Sequence, residues 1–114
     1  MSATVRQALA DAASTVEGVT CSPYFRQTTK PGSAMVRKDR VDYPDPFGGV
    51  VTWQVVVFLP QDLVASEKFL DEKVTLLRDA LRPHMTVTTA VAQQLALDSG
   101  AVPIVLIQGT REEE

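Results

Sequence analysis

The chain is short of the residues on which most catalytic and metal sites depend. Its 114 residues include one cysteine and one histidine. A single cysteine, Cys21, excludes an intrachain disulfide and a metal cluster built from several cysteines. The lone histidine, His84, follows Pro83 without a second histidine to share a metal ion. We interpret His84 as a polar residue at a helix end.

Long hydrophobic runs and a secretion signal are also missing. No apolar run approaches the roughly 20 residues needed to cross a bilayer. The N-terminus lacks a basic segment followed by an apolar one, so we expect the chain to stay in the cytoplasm where it is made. A length of 114 residues predicts one domain with one core. We expect this domain to cover residues 1–109, followed by a charged tail over residues 110–114.

Other signals of catalysis are equally sparse. Asp42 and Asp45 flank Pro44, and turn capping explains them better than a catalytic carboxylate pair. The two glycines at 48–49 lead into a predicted strand rather than a helix, which argues against a phosphate-binding loop. Cys21 falls in a predicted strand, where a small buried cysteine is the simplest interpretation. We therefore predict no enzymatic activity, no metal and no cofactor.

The strongest structural pattern is the stretch VVTWQVVVFL at residues 50–59. Its residues alternate with the period of a β-strand and are of the types that strands favour. One face is wholly apolar, and the other begins polar and ends apolar at Phe58. We predict a central strand, with Trp53 packed in the core under the second helix.

Apolar residues at helical spacing predict helices over residues 2–17 and 62–82, the second capped by Asp62 and stopped by Pro83. Strands are predicted over 19–24, over 85–97 with a break at residues 93–94, and over 102–108. The last two form a hairpin. The resulting order, α-β-(arm)-β-α-β-β, predicts an α+β fold with two helices on one face of a small antiparallel or mixed sheet.

The arm in this order is a charged segment in front of the central strand. Residues 26–40 hold five basic side chains and one acidic one, whereas residues 41–114 hold eleven acidic and five basic ones. Residues 34–43 suit a strand solvated in its middle or an extended arm, and 42–49 a rigid connection. The basic segment is either a solvated loop or a contact for another copy or a charged partner. The acidic overall balance and the few interleaved aromatics argue against dedicated nucleic-acid binding.

Several segments resemble the tail terminator proteins of siphophages infecting actinobacteria. They are VDYPDPFGGVVTW at 41–53, FLPQD at 58–62, EKFLDE at 67–72, LALDSGAVP at 95–103 and GTRE at 109–112. The resemblance implies a small α+β virion protein that forms a homohexameric ring on the head-proximal end of the tail tube. Such a ring stops tube polymerisation at the length set by the tape measure protein. It then joins the tail to a neck protein of the head, and DNA passes through its lumen without sequence-specific binding.

A ring requires two different surfaces of each copy to meet. Our hypothesis is that the arm of one copy contacts an acidic helix of the next, with aromatic residues as anchors. The interface residues would be Arg37, Lys38, Arg40, Tyr43, Phe47, Glu67, Asp71 and Glu72. The partners implied are the chain itself, the major tail tube protein and a head–tail connector, with no membrane and no cofactor. The alternatives are a tail tube or neck protein, or a small ligand-binding α+β domain with converging polar groups in a pocket.

Overall fold

The computed structural model describes residues 2–24, 28, 30–46, 48–98 and 100–113. These residues form two helices and five strands, which confirms the predicted α+β class. In chain order the elements are α1 (Ser2–Ser14), β1 (Thr20–Ser22), β2 (Ser33–Asp45), β3 (Gly48–Phe58), α2 (Leu63–Leu81), β4 (Thr86–Leu97) and β5 (Gly100–Glu112). The predicted arm is strand β2, paired with the central strand in a long hairpin.

The five strands form one mixed sheet in the order β1-β2-β3-β5-β4. Only β1 runs parallel to its neighbour, and it pairs with β2 over three residues, Ser33 to Met35. The other pairs are antiparallel. Strand β3 lies in the middle of the order, as the alternation at residues 50–59 predicts.

Both helices pack on one face of the sheet. The helix-side core joins Val5, Leu9 and Ala13 of α1, Leu77 and Leu81 of α2, and Val51, Trp53, Val55 and Val57 of β3. Helix α2 begins at the predicted cap, where the carboxylate of Asp62 accepts a hydrogen bond of 2.9 Å from the Ala65 amide. Helix α1 packs on β1 and β2, and helix α2 packs on β4 and β5. Their apolar side chains join those of β3 in one core.

The opposite face of the sheet carries a second apolar cluster to which neither helix contributes. Its buried members are Met35, Val56, Phe58, Val102, Ile104 and Leu106. Leu95 and Leu97 of β4 pack against it, and they line a cavity of about 350 Å³ together with Met35 of β2. Because β4 and β2 are three positions apart in the strand order, the sheet must curl so that its own β4–β5 hairpin covers this face.

Two predictions about the C-terminal half are wrong. Residues 110–112 are not a tail, because β5 continues to Glu112, which pairs with Val50 of β3. Strand β4 is also unbroken at residues 93–94, and its register shift lies between Val87 and Thr89. In both places the backbone amides and carbonyls form hydrogen bonds with a neighbouring strand. The local sequence does not predict this pairing.

The predicted boundaries of two other segments also change. Helix α1 ends at Ser14, three residues before the predicted end. The supposed rigid connection over residues 42–49 is the end of the β2–β3 hairpin, in which Asp45 pairs with Gly48. A proline at position 44 is compatible with strand β2 because this part of the strand is exposed at the sheet's edge. Phe47 lies outside the described residues.

Two adjacent leucines of α2 test this packing. Leu77 is fully buried, whereas Leu76 is 50% exposed. We expect Leu77→Ala to lower the free energy of unfolding by about 2–5 kcal/mol, because it leaves a cavity in the core. Leu76→Ala, the matched control, should change it by about 0.5 kcal/mol or less. Urea unfolding followed by circular dichroism measures both, and equal losses would contradict the assigned faces of α2.

Candidate interaction surface

The end of the β2–β3 hairpin is exposed and carries both charges and an aromatic ring. Tyr43 is 65% exposed, and its hydroxyl donates a hydrogen bond of 3.0 Å to the Glu113 carboxylate. This hydrogen bond, with the neighbouring negative charge, raises the pKa of Tyr43 above its ordinary value. Arg40 and Asp42 form an ion pair at 3.1 Å with both side chains largely exposed. Such a pair stabilises little by itself, so both charges remain available to a partner.

Arg37 is held by a row of polar side chains that crosses three strands. Its Nε donates to Gln54 Oε1 at 2.7 Å, and Gln54 Nε2 donates to Gln108 Oε1 at 2.9 Å. Gln54 is only 5% exposed, so these hydrogen bonds are needed to offset its burial. These hydrogen bonds hold the Arg37 guanidinium on the face of the sheet opposite the helices. The sequence pattern did not reveal this row, because the register that aligns these residues is a tertiary feature.

Lys38 points to the other face of β2 and is half-buried. Its Nζ lies 5.3 Å from the centre of the Trp53 ring. The guanidinium of Arg6 is 5.3 Å from the same ring and 4.6 Å from that of Tyr24. Lys38 therefore lies beside the core on the helix side, away from Arg37 and Arg40. Trp53 is buried as predicted, but its ring faces cations from α1 and β2.

Arg6 is a structural residue that sequence reasoning missed. Its Nη1 donates to the carbonyls of Pro23 at 3.2 Å and Val36 at 2.9 Å. It therefore ties α1 to β2 just beyond the last residue that β1 covers. No sequence signal marks this role, since the partners lie 17 and 30 positions away along the chain.

The predicted acidic residues Glu67, Asp71 and Glu72 all lie exposed on α2. They share its outer surface with three exposed apolar side chains, Leu63, Val64 and Leu76, of which Leu63 is the most open at 75%. Helix α2 packs on the β4–β5 half of the sheet. The acidic row of α2 and the basic residues Arg37 and Arg40 thus occupy different sides of the molecule, so they meet only if two copies come together.

Within the described residues no group of three or more His, Cys, Asp or Glu side chains is placed to hold a metal ion. A groove of about 400 Å³ between the start of α2 and strands β4 and β5 is lined mainly by apolar and amide side chains. Neither helix of the described chain is long and apolar enough to cross a membrane.

Comparisons with known proteins add no family. No protein-family model matches the sequence, and no curated protein is significantly similar to it. The resemblance to tail terminators therefore depends on the sequence segments alone and stays a prediction.

Cys21 is half-buried at the edge of the helix-side core. Its backbone is bound to the end of α1, where Ser14 Oγ accepts from the Cys21 amide at 2.9 Å and donates to its carbonyl at 3.3 Å. Burial, with a smaller contribution from Asp11, raises the pKa of the Cys21 thiol to about 12. A thiol with so high a pKa is a poor nucleophile at neutral pH, which supports a structural role.

Alkylation of Cys21 measures this shift. At pH 8 we expect iodoacetamide to react with the folded protein about 1,000-fold more slowly than with the urea-unfolded chain, because the thiolate is the reacting form. Since the folded pKa is raised, stability is unaffected by this thiol below the unfolded value of 9.0. It falls as the pH rises from there towards 12, where the unfolded chain ionises first. Equal alkylation rates would contradict the burial.

Proposed function

We propose that the chain is a tail-terminator-like virion protein that assembles into a homohexameric ring on the head-proximal end of a phage tail tube. The observation that carries this proposal is the separation of charge on the molecule. Arg37 and Arg40 lie on the β2–β3 hairpin, and an acidic row lies on α2 over the other half of the sheet. These oppositely charged side chains lie on different sides of the molecule, which favours contact between the hairpin of one copy and α2 of a second.

This arrangement favours rings over two-fold dimers. In a two-fold dimer residue i contacts residue j and residue j contacts residue i within one interface, so the hairpin could meet α2 only if both lay on the same side of the molecule. In a head-to-tail contact each copy offers its hairpin to one neighbour and its helix to the other, and the chain of copies closes when the rotation allows. The charged residues of the two surfaces then attract one another at every interface.

Charge alone would not hold such a ring together. Exposed ion pairs contribute roughly 0 to 1 kcal/mol each, so a stable interface also needs buried apolar surface. Leu63, Val64 and Leu76 supply it on α2, and the ring of Tyr43 supplies it at the end of the hairpin. Aromatic side chains are typical anchors at the centre of such contacts. Phe47 keeps its predicted role as a second anchor.

The proposed ring has two ends with different partners. One end meets the last ring of the major tail tube protein and stops its polymerisation, and the other meets the neck protein of the filled head. Genomic DNA passes through the lumen without sequence-specific contacts. The role is structural, it uses no cofactor, and the protein is placed in the virion after assembly in the host cytoplasm.

Native mass spectrometry with negative-stain imaging tests the assembly. We expect a closed ring with the mass of six copies of the 12.4 kDa chain. Long tubes would favour a tail tube protein instead. A monomer or dimer at micromolar concentration would contradict both assignments.

Charge reversal tests the contact between the hairpin and α2. We expect the double variant Arg37→Glu, Arg40→Glu to lose the ring, because it sets like charges against Glu67, Asp71 and Glu72. Adding Glu67→Lys and Asp71→Lys should restore part of the assembly. Arg82→Glu is the control, since this exposed residue follows α2 and belongs to neither surface. A hexamer unaffected by the double reversal would show that these residues do not form the interface.

A further inference from the structure

Strand β4 presents an open edge that has none of the usual protection after its register shift between Val87 and Thr89. It is the last strand of the sheet, and within the described residues no strand pairs with its outer side. Its twelve residues, TVTTAVAQQLAL, include no charged residue, no proline and no glycine. Proteins normally protect a long edge strand with lysine, proline, a bulge or a covering element, because its free amides and carbonyls pair with any available strand.

The position of Pro103 on β5 shows which residues of β4 direct their backbone N–H and C=O groups towards the open edge. Gln94 pairs with Pro103 of β5, and the Pro103 carbonyl accepts a hydrogen bond of 3.0 Å from the Leu59 amide. The backbone polar groups of Pro103 therefore face away from β4, so those of Gln94 face the open edge. By the alternation of an antiparallel strand, Ala90, Ala92 and Ala96 present theirs as well. These small exposed side chains do little to shield the edge.

The only other long open edge in the described chain belongs to β2. Strand β1 pairs with residues 33–35 alone, and no described strand covers β2 from residue 36 to Asp45. This edge carries a bulge between Lys38 and Arg40, several charges and Pro44. These features oppose pairing between two β2 edges, whereas the neutral part of β4 after its register shift at residues 87–89 is a suitable partner.

The strand directions allow the open edge of β4 in one copy to pair with the open edge of β2 in another. Strand β4 is antiparallel to β5, β5 to β3, and β3 to β2, so β4 and β2 of one copy run in opposite directions. A second copy, rotated about an axis along the strands, therefore brings its β2 beside β4 in antiparallel orientation. This continues the sheet without reversing any strand.

Charge supports the same pairing. Glu67 lines the groove between α2 and β4 together with Gln93 and Gln94 of β4. Glu67 therefore lies beside this part of the open edge, whereas Arg78 of α2 lies beside residues 87–90 of β4. A β2 strand docked on this edge would bring Lys38, the basic residue on its helix side, next to Glu67, and would leave Arg37 and Arg40 on the opposite face. A second β4 would bring no charge.

We propose that β4 of each copy pairs with β2 of the next copy in antiparallel fashion, so that the sheets join edge to edge around the assembly. This inference rests on the proposed ring and specifies how its subunits are joined. Backbone hydrogen bonds give the contact its strength, and the charges of β2 and α2 select the partner strand.

Disulfide cross-linking of the full-length chain tests the pairing directly. In a Cys21→Ser background, Ala92→Cys is combined in turn with single cysteine substitutions at residues 37–43. We expect cross-links between copies to peak at one β2 position. When Gln94→Cys replaces Ala92→Cys, the peak should move by two residues towards the N-terminus of β2, or by three across the bulge. A shift towards the C-terminus, or no cross-linking to β2, would overturn the proposal.

A proline substitution tests the hydrogen bonds themselves. Ala92→Pro removes an amide that faces the open edge and breaks no bond to β5, so the monomer should keep its circular dichroism spectrum and lose the ring. Ala92→Ser keeps the amide and should keep the ring. Rings that survive Ala92→Pro would overturn the pairing.

The outcomes separate this inference from the proposed function. Hexameric rings without β4–β2 cross-links would overturn the pairing and leave the ring intact as a proposal. Covalent dimers from Ala92→Cys alone would show that β4 pairs with itself in a two-fold dimer, which contradicts both. Cross-links with the predicted shift in an open filament would support the pairing and contradict the closed ring.

Discussion

Strand β3 has to be covered on both faces, and most of the architecture follows from that requirement. Its side chains on either side of the sheet are almost all buried. The helices cover one face, where Trp53 and the valines of β3 meet the leucines of α2 and the small residues of α1. The chain has no third helix in its described part, so the other face is covered by curling of the sheet, which brings Leu95 and Leu97 over Val56 and Phe58. The same curl leaves the outer edge of β4 open.

The two surfaces proposed for subunit contacts therefore lie outside the hydrophobic core. The β2–β3 hairpin extends its charged end away from the helices, and α2 turns its acidic side outward because its apolar side is used by the core. Neither surface has a partner within the described molecule. Both surfaces are exposed in the monomer and are suited to contact other copies of the protein. This exposure is the physical basis of the proposed ring.

The polar row from Arg37 through Gln54 to Gln108 shows how stability and function share residues here. The row satisfies a buried amide in the middle of the sheet, and it also orients a cation at the surface. Arg6 acts similarly on the other side, where it joins α1 to β2 and contacts two aromatic rings. The hydrogen bonds of Arg37 hold its cation on the exposed face of the sheet, whereas those of Arg6 hold its cation against the two rings.

The sequence by itself determined the central strand, both helices, the α+β class and the exposure of the acidic residues on α2, because each depends on a local period of two or 3.6 residues. It did not determine where β5 ends, that β4 is unbroken, or that Lys38 lies apart from Arg37 and Arg40. Those features depend on which strand lies beside which and in what register, and the local sequence period records neither. The sequence already shows that residues 86–97 carry no charge. Only the tertiary structure shows that these residues form an edge strand, where charged residues would normally oppose pairing with another strand.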